Sequence, residues 1–146
     1  MTISFKVDYL TCSRRHIKDA HILQHAGRRA NAGQLFGFSV ECGLKALLVI
    51  GGAQVDTDGN ITQRTGFRKH LPDLGQHVTG MMTLPDGRSA SLLQSRLPHL
   101  NQMNDWHIDH RYWRTSELPL SSVSHWDMAA LEMNDLLDDV VSLGLL

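Results

Sequence analysis

Apolar residues recur along this chain at helical spacing, and the breaks between such stretches mark out its elements. From about Tyr9 to Ala30 the sequence is free of proline, and Leu10, Ile17, Ala20 and Gly27 fall along one side. His21 and Gln24 interrupt that stripe, so the first predicted helix is only weakly amphipathic. Between Gly33 and Ile50 the pattern changes character. Phe36, Val40, Gly43, Leu47 and Ile50 share one face, and Leu35, Cys42, Ala46 and Val49 a neighbouring one. Phe38, Leu44 and Leu48 fill much of the remainder. A helix apolar nearly all round belongs in the middle of a bundle, and Gly51-Gly52 supplies the left-handed conformation at which such a helix ends.

Residues at about 52–69 read as a polar connection, with a tight turn over Asp56-Thr57-Asp58-Gly59-Asn60. A short helix is predicted from Pro72, with Leu74, Val78 and Met81 facing inward. Leu84-Pro85-Asp86-Gly87 reads as a second turn. The next helix runs from about Ser89 with Leu93, Leu97 and Leu100 in register, and Pro98 kinks or breaks it. Ser124 is read as the cap of the last helix, with Asp127 completing a partial capping box. Trp126, Ala130, Met133, Leu137 and Val140 form its apolar stripe, opposed by Asp127, Glu132, Asp135, Asp138 and Asp139. No repeat and no strand pattern appears. The expected fold is all-α: one domain over residues 1–146, an up-and-down antiparallel bundle of about five helices.

Composition narrows the function classes. Hydrophobic residues make up 42% and charged residues 20% of the 146, which suits a folded domain and not a disordered tail. With a formal net charge of -1 there is no long-range field to draw in nucleic acid, so any such contact must rest on a local patch. Nine histidines make the charge responsive between about pH 5 and 7. Cys12 and Cys42 lie in predicted helices without metal-ligand spacing and read as buried, reduced thiols. The first eight residues lack the basic head and apolar run of a signal peptide, and no apolar stretch approaches the roughly 18 residues of a membrane span. The expectation is a soluble, cytoplasmic protein with no membrane contact.

Functional side chains are densest at Trp106-His107-Ile108-Asp109-His110-Arg111-Tyr112. If this stretch is helical, His107 and His110 are neighbours able to face one ligand. Arg111 is a charged fork suited to phosphate, and Trp106 and Tyr112 offer rings for stacking on a base. The blander account packs Trp106 and Tyr112 in the core and pairs Arg111 with Glu41 or another buried carboxylate. In the second helix only Glu41 and Lys45 are charged, in the favourable order for a same-helix ion pair. The turn at 56–60 resembles the start of a calcium loop, but Gly59 and Phe67 stand where that loop's order fails. Ser39 lacks the closing glycine and preceding strand of a nucleophile elbow. Arg14-Arg15 and Arg28-Arg29, both placed in the first helix, offer a modest phosphate-facing stripe, and the favoured account is a solvated helix face. No metal and no cofactor is expected.

The run from Phe36 to Leu48, with Glu41 followed four residues later by Lys45, resembles the second-helix signature of HEPN domains, the higher eukaryotes and prokaryotes nucleotide-binding superfamily. Three other features agree in order: Asp19-Ala20, Lys69-His70-Leu71 with Leu74, and Trp106 followed by Arg111-Tyr112. The resemblance covers roughly residues 9 to 142. It implies a helical bundle, commonly a homodimer, in prokaryotes often associated with toxin–antitoxin or nucleotidyltransferase partners. Many members are metal-independent ribonucleases with an Arg, four to six residues, then a His late in the chain. This chain departs from that pattern. Arg14 or Arg15 to His21 and Arg64 to His70 match formally but lie early, and after Arg111 the next histidine is the distant His125.

The reading that follows is a non-catalytic HEPN-like binding module, recognising a nucleotide, RNA or other phosphate-bearing ligand through Glu41, Lys45, His107, His110, Arg111 and Tyr112. Two alternatives stand beside it. One is a divergent ribonuclease using His107 or His110 as acid/base, and the other a structural module that docks an antitoxin or nucleotidyltransferase-type partner.

Overall fold

The computed structural model describes residues 4–79 and 95–143. The architecture is all-α, as the hydrophobic pattern predicts. Four α-helices lie wholly among the described residues, α1 (Tyr9–His25), α2 (Arg29–Ile50), α3 (Asp73–Thr79) and α4 (Val123–Ser142), and Ser95 and Arg96 are helical as well. A series of short 3₁₀ turns lies between Leu100 and Ser122, and among the described residues the one β-type pairing is an isolated bridge of Val55 with Ile61.

Helix α1 starts where Asp8 accepts hydrogen bonds from the Thr11 backbone N–H (3.1 Å) and hydroxyl (2.7 Å). It stops at His25, short of the predicted Ala30. Gly27 takes φ +77°, its N–H bonds the carbonyl of Gln24 and that of Arg28 the carbonyl of Leu23, which closes a Schellman cap and reverses the chain. Helix α2 therefore begins at Arg29, ahead of the predicted Gly33. It ends by the same device. Gly52, with φ +99°, is the left-handed residue, and Ala53 N–H reaches back to the Leu48 carbonyl at 2.9 Å.

The apolar surround of α2 is used up in packing. It lies against α1 on one side and α4 on another, and Phe36, Val40, Leu44 and Leu48 are almost wholly buried. Contrary to the sequence expectation, α2 is long and apolar enough to cross a membrane by length and composition, but 61% of that window is buried inside the chain. Close approach is possible because the contacts are small. Ser13 Oγ donates to the Ser39 carbonyl (2.7 Å) and Ser39 Oγ to the Ser13 carbonyl (2.8 Å), a reciprocal buried clasp between α1 and α2. Gly37 and Gly43 give way to Trp106 and Met133.

The connection at 52–69 is less polar in structure than in sequence, since Ile61 and Phe67 are core residues. Its turn forms as predicted, with Asp56 Oδ1 accepting from the N–H groups of Asp58 (2.9 Å) and Asn60 (3.0 Å). Helix α3 starts one residue after Pro72 and buries Leu74 and Val78. The predicted inward Met81, the turn at 84–87 and the start of the next helix with Leu93 lie outside the described residues. Leu97 and Leu100 are buried on either side of Pro98, beyond which the chain continues as a 3₁₀ turn over Leu100–Asp105.

At α4 the apolar stripe is as predicted, with Trp126, Ala130, Met133, Leu137 and Val140 all buried. The predicted cap is wrong. Ser124 lies inside the first turn, Ser122 is the capping residue, and its hydroxyl hydrogen-bonds Asp105 instead of its own helix. Asp127 is taken by His21 Nε2 at 2.8 Å, so the box has no acid to close it. The acidic face binds neighbouring segments through Arg14–Asp138 (2.7 Å), Arg96–Asp139 (2.6 Å) and His99–Glu132.

Candidate functional site

The segment from Leu100 to Ser122 folds as successive tight turns, not the helix the sequence allowed. Its Asn, Asp, His and aromatic residues favour local turns over a long helix. Backbone bonds of Trp106 to Met103, His110 to His107 and Trp113 to His110 close them. Two indoles anchor the segment. Trp106, fully buried, donates from Nε1 to the Gly33 carbonyl (3.1 Å) and packs on Phe38; Trp126 Nε1 donates to Asp105 (3.0 Å). Gln34 on α2 donates to the Ile108 carbonyl at 3.2 Å.

On that base stands a cluster of rings. His110 is buried, with Trp113 4.5 Å, His107 5.7 Å and Trp126 6.0 Å from its ring centre. Burial, helped by the neighbouring His107, pushes its pKa below the ordinary 6.5, which keeps the imidazole neutral. Outside it the side chains are open. The Arg111 guanidinium lies 4.8 Å from the ring centre of Tyr112, which is 76% exposed, and Trp113 is 47% exposed. His107 and Arg114 are exposed as well. A groove of about 370 Å³ is lined by Arg28, Arg29, Asn31, Thr115 and Leu120, with Arg29 donating to the Leu120 carbonyl at 2.9 Å. The acids Asp109 and Glu117 are exposed on the same segment. The surface is thus cationic by patches and carries flat rings, a combination suited to stacking and phosphate contact.

A second centre sits in the middle of α2. Glu41 is buried, and its carboxylate accepts from the Leu71 N–H (3.0 Å) and lies 3.1 Å from His70 Nδ1 by either oxygen. Lys45 Nζ is 3.6 Å away and also stands over the Tyr9 ring. The Tyr9 hydroxyl accepts from the Ile61 N–H (3.0 Å), and burial raises its pKa. Nearby, burial pushes the Cys42 thiol up to about 12, with Cys12 adding to it, so that sulfur stays protonated. Both cysteines are partly exposed, less buried than their sequence context implies.

Of the six predicted residues, His107, His110, Arg111 and Tyr112 come together, while Glu41 and Lys45 belong to the other centre. The loop meets α2 at Gln34, and Glu41 lies seven residues further along, about 10 Å at the helical rise. Arg111 has no part in the Glu41 ion pair, and Tyr112 is exposed instead of in the core; only Trp106 follows the blander account. Sequence reasoning passed over Trp113, though it abuts the predicted cluster. It also gave His70 no site role, although Lys69-His70-Leu71 had been noted as a motif. Among the described residues no group of three or more His, Cys, Asp or Glu is arranged to hold a metal ion. Compared with known protein families, curated proteins and solved structures, the chain matches none.

Proposed function

We propose that this chain is a HEPN-like up-and-down bundle that binds a phosphate-bearing ligand, a nucleotide or single-stranded RNA, without cleaving it. Likeness to HEPN domains is supported by the meeting of two resemblance motifs: Glu41 of the second helix bonds both His70 and Leu71 at the start of the third. Binding is supported above all by one observation, the Arg111 guanidinium stacked on a largely exposed Tyr112 beside the half-exposed Trp113. Exposed rings exact a solvation cost in a soluble protein, and bases stack on such rings while arginine meets the phosphate between them. Arg28 and Arg29 line a groove with Thr115 and Leu120 of the same segment and add a second cationic feature. The working assembly is a cytoplasmic homodimer, with an antitoxin or nucleotidyltransferase-type protein as its partner.

Titration of short single-stranded RNA and of nucleotides at low and moderate salt, followed by tryptophan fluorescence and calorimetry, tests this. Saturable binding that weakens with salt is expected; silence across the panel removes the ligand.

The ribonuclease reading is favoured by the His107–His110 pair, one exposed and one held neutral, which is the division of labour acid/base catalysis uses. Against it, His110 is only 5% exposed. Incubation with total RNA, comparing the parent with His110→Ala, separates the two readings.

A further inference from the structure

We propose that His70 is a phosphoryl-acceptor residue, its Nε2 a nucleophile supported from behind by the buried carboxylate of Glu41. This centre is separate from the Arg111–Tyr112 surface, and the inference does not rest on the binding function assigned there.

The geometry fixes the tautomer. Both Glu41 oxygens lie 3.1 Å from Nδ1, so the proton sits on Nδ1 and the lone pair on Nε2. Among the described residues Nε2 has no hydrogen-bond partner, and the His70 side chain is 55% exposed. Glu41 cannot swing away, because the Leu71 N–H and Lys45 hold it in a side chain only 7% exposed. Among the described residues two other histidines pair with carboxylates, and neither matches this. His21 and His99 are 33% and 27% exposed, and their partners Asp127 and Glu132 are 21% and 17% exposed. Among the described residues only His70 combines an open nucleophilic edge with a buried acid behind it.

The chain leading into the histidine is cationic. Arg68 and Lys69, both exposed, precede the histidine directly. Lys45 lies over the Tyr9 ring, and Arg68 is within electrostatic reach of the same tyrosine. In the transfer, the Nε2 lone pair forms a bond to phosphorus as the bond from phosphorus to the donor's leaving group breaks. The leaving group takes that electron pair. The ring becomes positively charged, and Glu41 balances it across the Nδ1–H bond. The donor class is an acyl phosphate or a phosphoramidate, each carrying an activated phosphoryl group.

Potassium phosphoramidate at neutral pH, followed by intact mass and by peptide mapping under acid-free conditions, tests this on the full chain. One acid-labile phosphoryl group at His70 is expected, gained about tenfold faster than at His21, His99 or the exposed His25 and His107. His70→Asn should abolish that group, and Glu41→Gln should slow it by about tenfold. Labelling of His70 no faster than of His25 and His107 overturns the proposal, as does a folded Glu41→Gln protein that labels at the parent rate. Should Glu41→Gln fail to fold by circular dichroism, the ranking of histidines within the parent decides alone.

Discussion

The indole of Trp106 lies so close over Gly37 that a Cβ built there would stand 1.9 Å from its Cε2. The same indole donates to the carbonyl of Gly33, one turn earlier on α2. The candidate site is therefore hung on two glycines of the central helix. Gly37→Ala should cost about 3 kcal/mol, since the wall it meets is a rigid, fully buried ring. Gly43→Ala meets Met133 Cγ at 2.3 Å, but a methionine chain can bend aside, and about 1–2 kcal/mol is expected. Urea unfolding of the two variants checks the order. If Gly43→Ala proves the more damaging, the packing described for Trp106 is not what fixes the loop.

Glu41 is a structural member as well as the support for His70. Replacing it with alanine removes the acceptor for the Leu71 N–H and leaves Lys45 beside a void, so about 3 kcal/mol of stability should go. Glu41→Gln keeps an oxygen for Leu71 and should lose about half as much. Thermal melts of both variants would show it, and equal losses would mean that charge, not the backbone bond, dominates.

These two cases show what could be read from sequence and what could not. The all-apolar pattern of Phe36 to Ile50 announced a central helix because burial on every side leaves a one-dimensional signature. The stripe of α4 was equally plain. The role of Gly37 was invisible, because nothing along the chain says which distant ring will need its missing side chain. Helix ends were misplaced for a related reason. Gly27 lay within a run of helix formers, and only the bonds from Gly27 and Arg28 back to Gln24 and Leu23 reveal the stop. At the candidate site, spacing identified His107, His110, Arg111 and Tyr112 as one group. It could not tell that Glu41 would find His70, since that contact spans a connection whose path is set by Ile61 and Phe67 entering the core.

Acid should weaken the fold partly through His110. Its folded pKa lies below the ordinary 6.5 that it regains when unfolded, so the unfolded chain takes up the proton first. Stability is thus complete above about pH 6.5 and falls as pH drops toward the folded pKa, below which this contribution no longer changes. His16, half-buried against Phe38, acts in the same direction. Melting curves of the parent and His110→Gln between pH 7.5 and 5.0 isolate the one residue. The parent should lose more stability on acidification than the variant, and parallel curves would show that His110 is solvated in both states.

Arg111 separates a binding role from a structural one. Were it an internal ion-pair member, its removal would unfold the protein; here it is exposed and touches the Tyr112 ring. Arg111→Ala and Tyr112→Ala should each leave stability within about 0.5 kcal/mol of the parent, as surface changes do. Each should weaken single-stranded RNA binding by about 1–3 kcal/mol, roughly five- to 150-fold, because a stacking ring or its cation is lost. The two mutations differ in their salt signature. Tyr112→Ala removes an uncharged platform and should leave the slope of log affinity against log salt unchanged. Arg111→Ala removes one phosphate contact and should flatten that slope by roughly 0.7, the value for a single strand. A loss of stability in Arg111→Ala with unaltered RNA affinity would return the arginine to the fold and leave the exposed rings without a ligand.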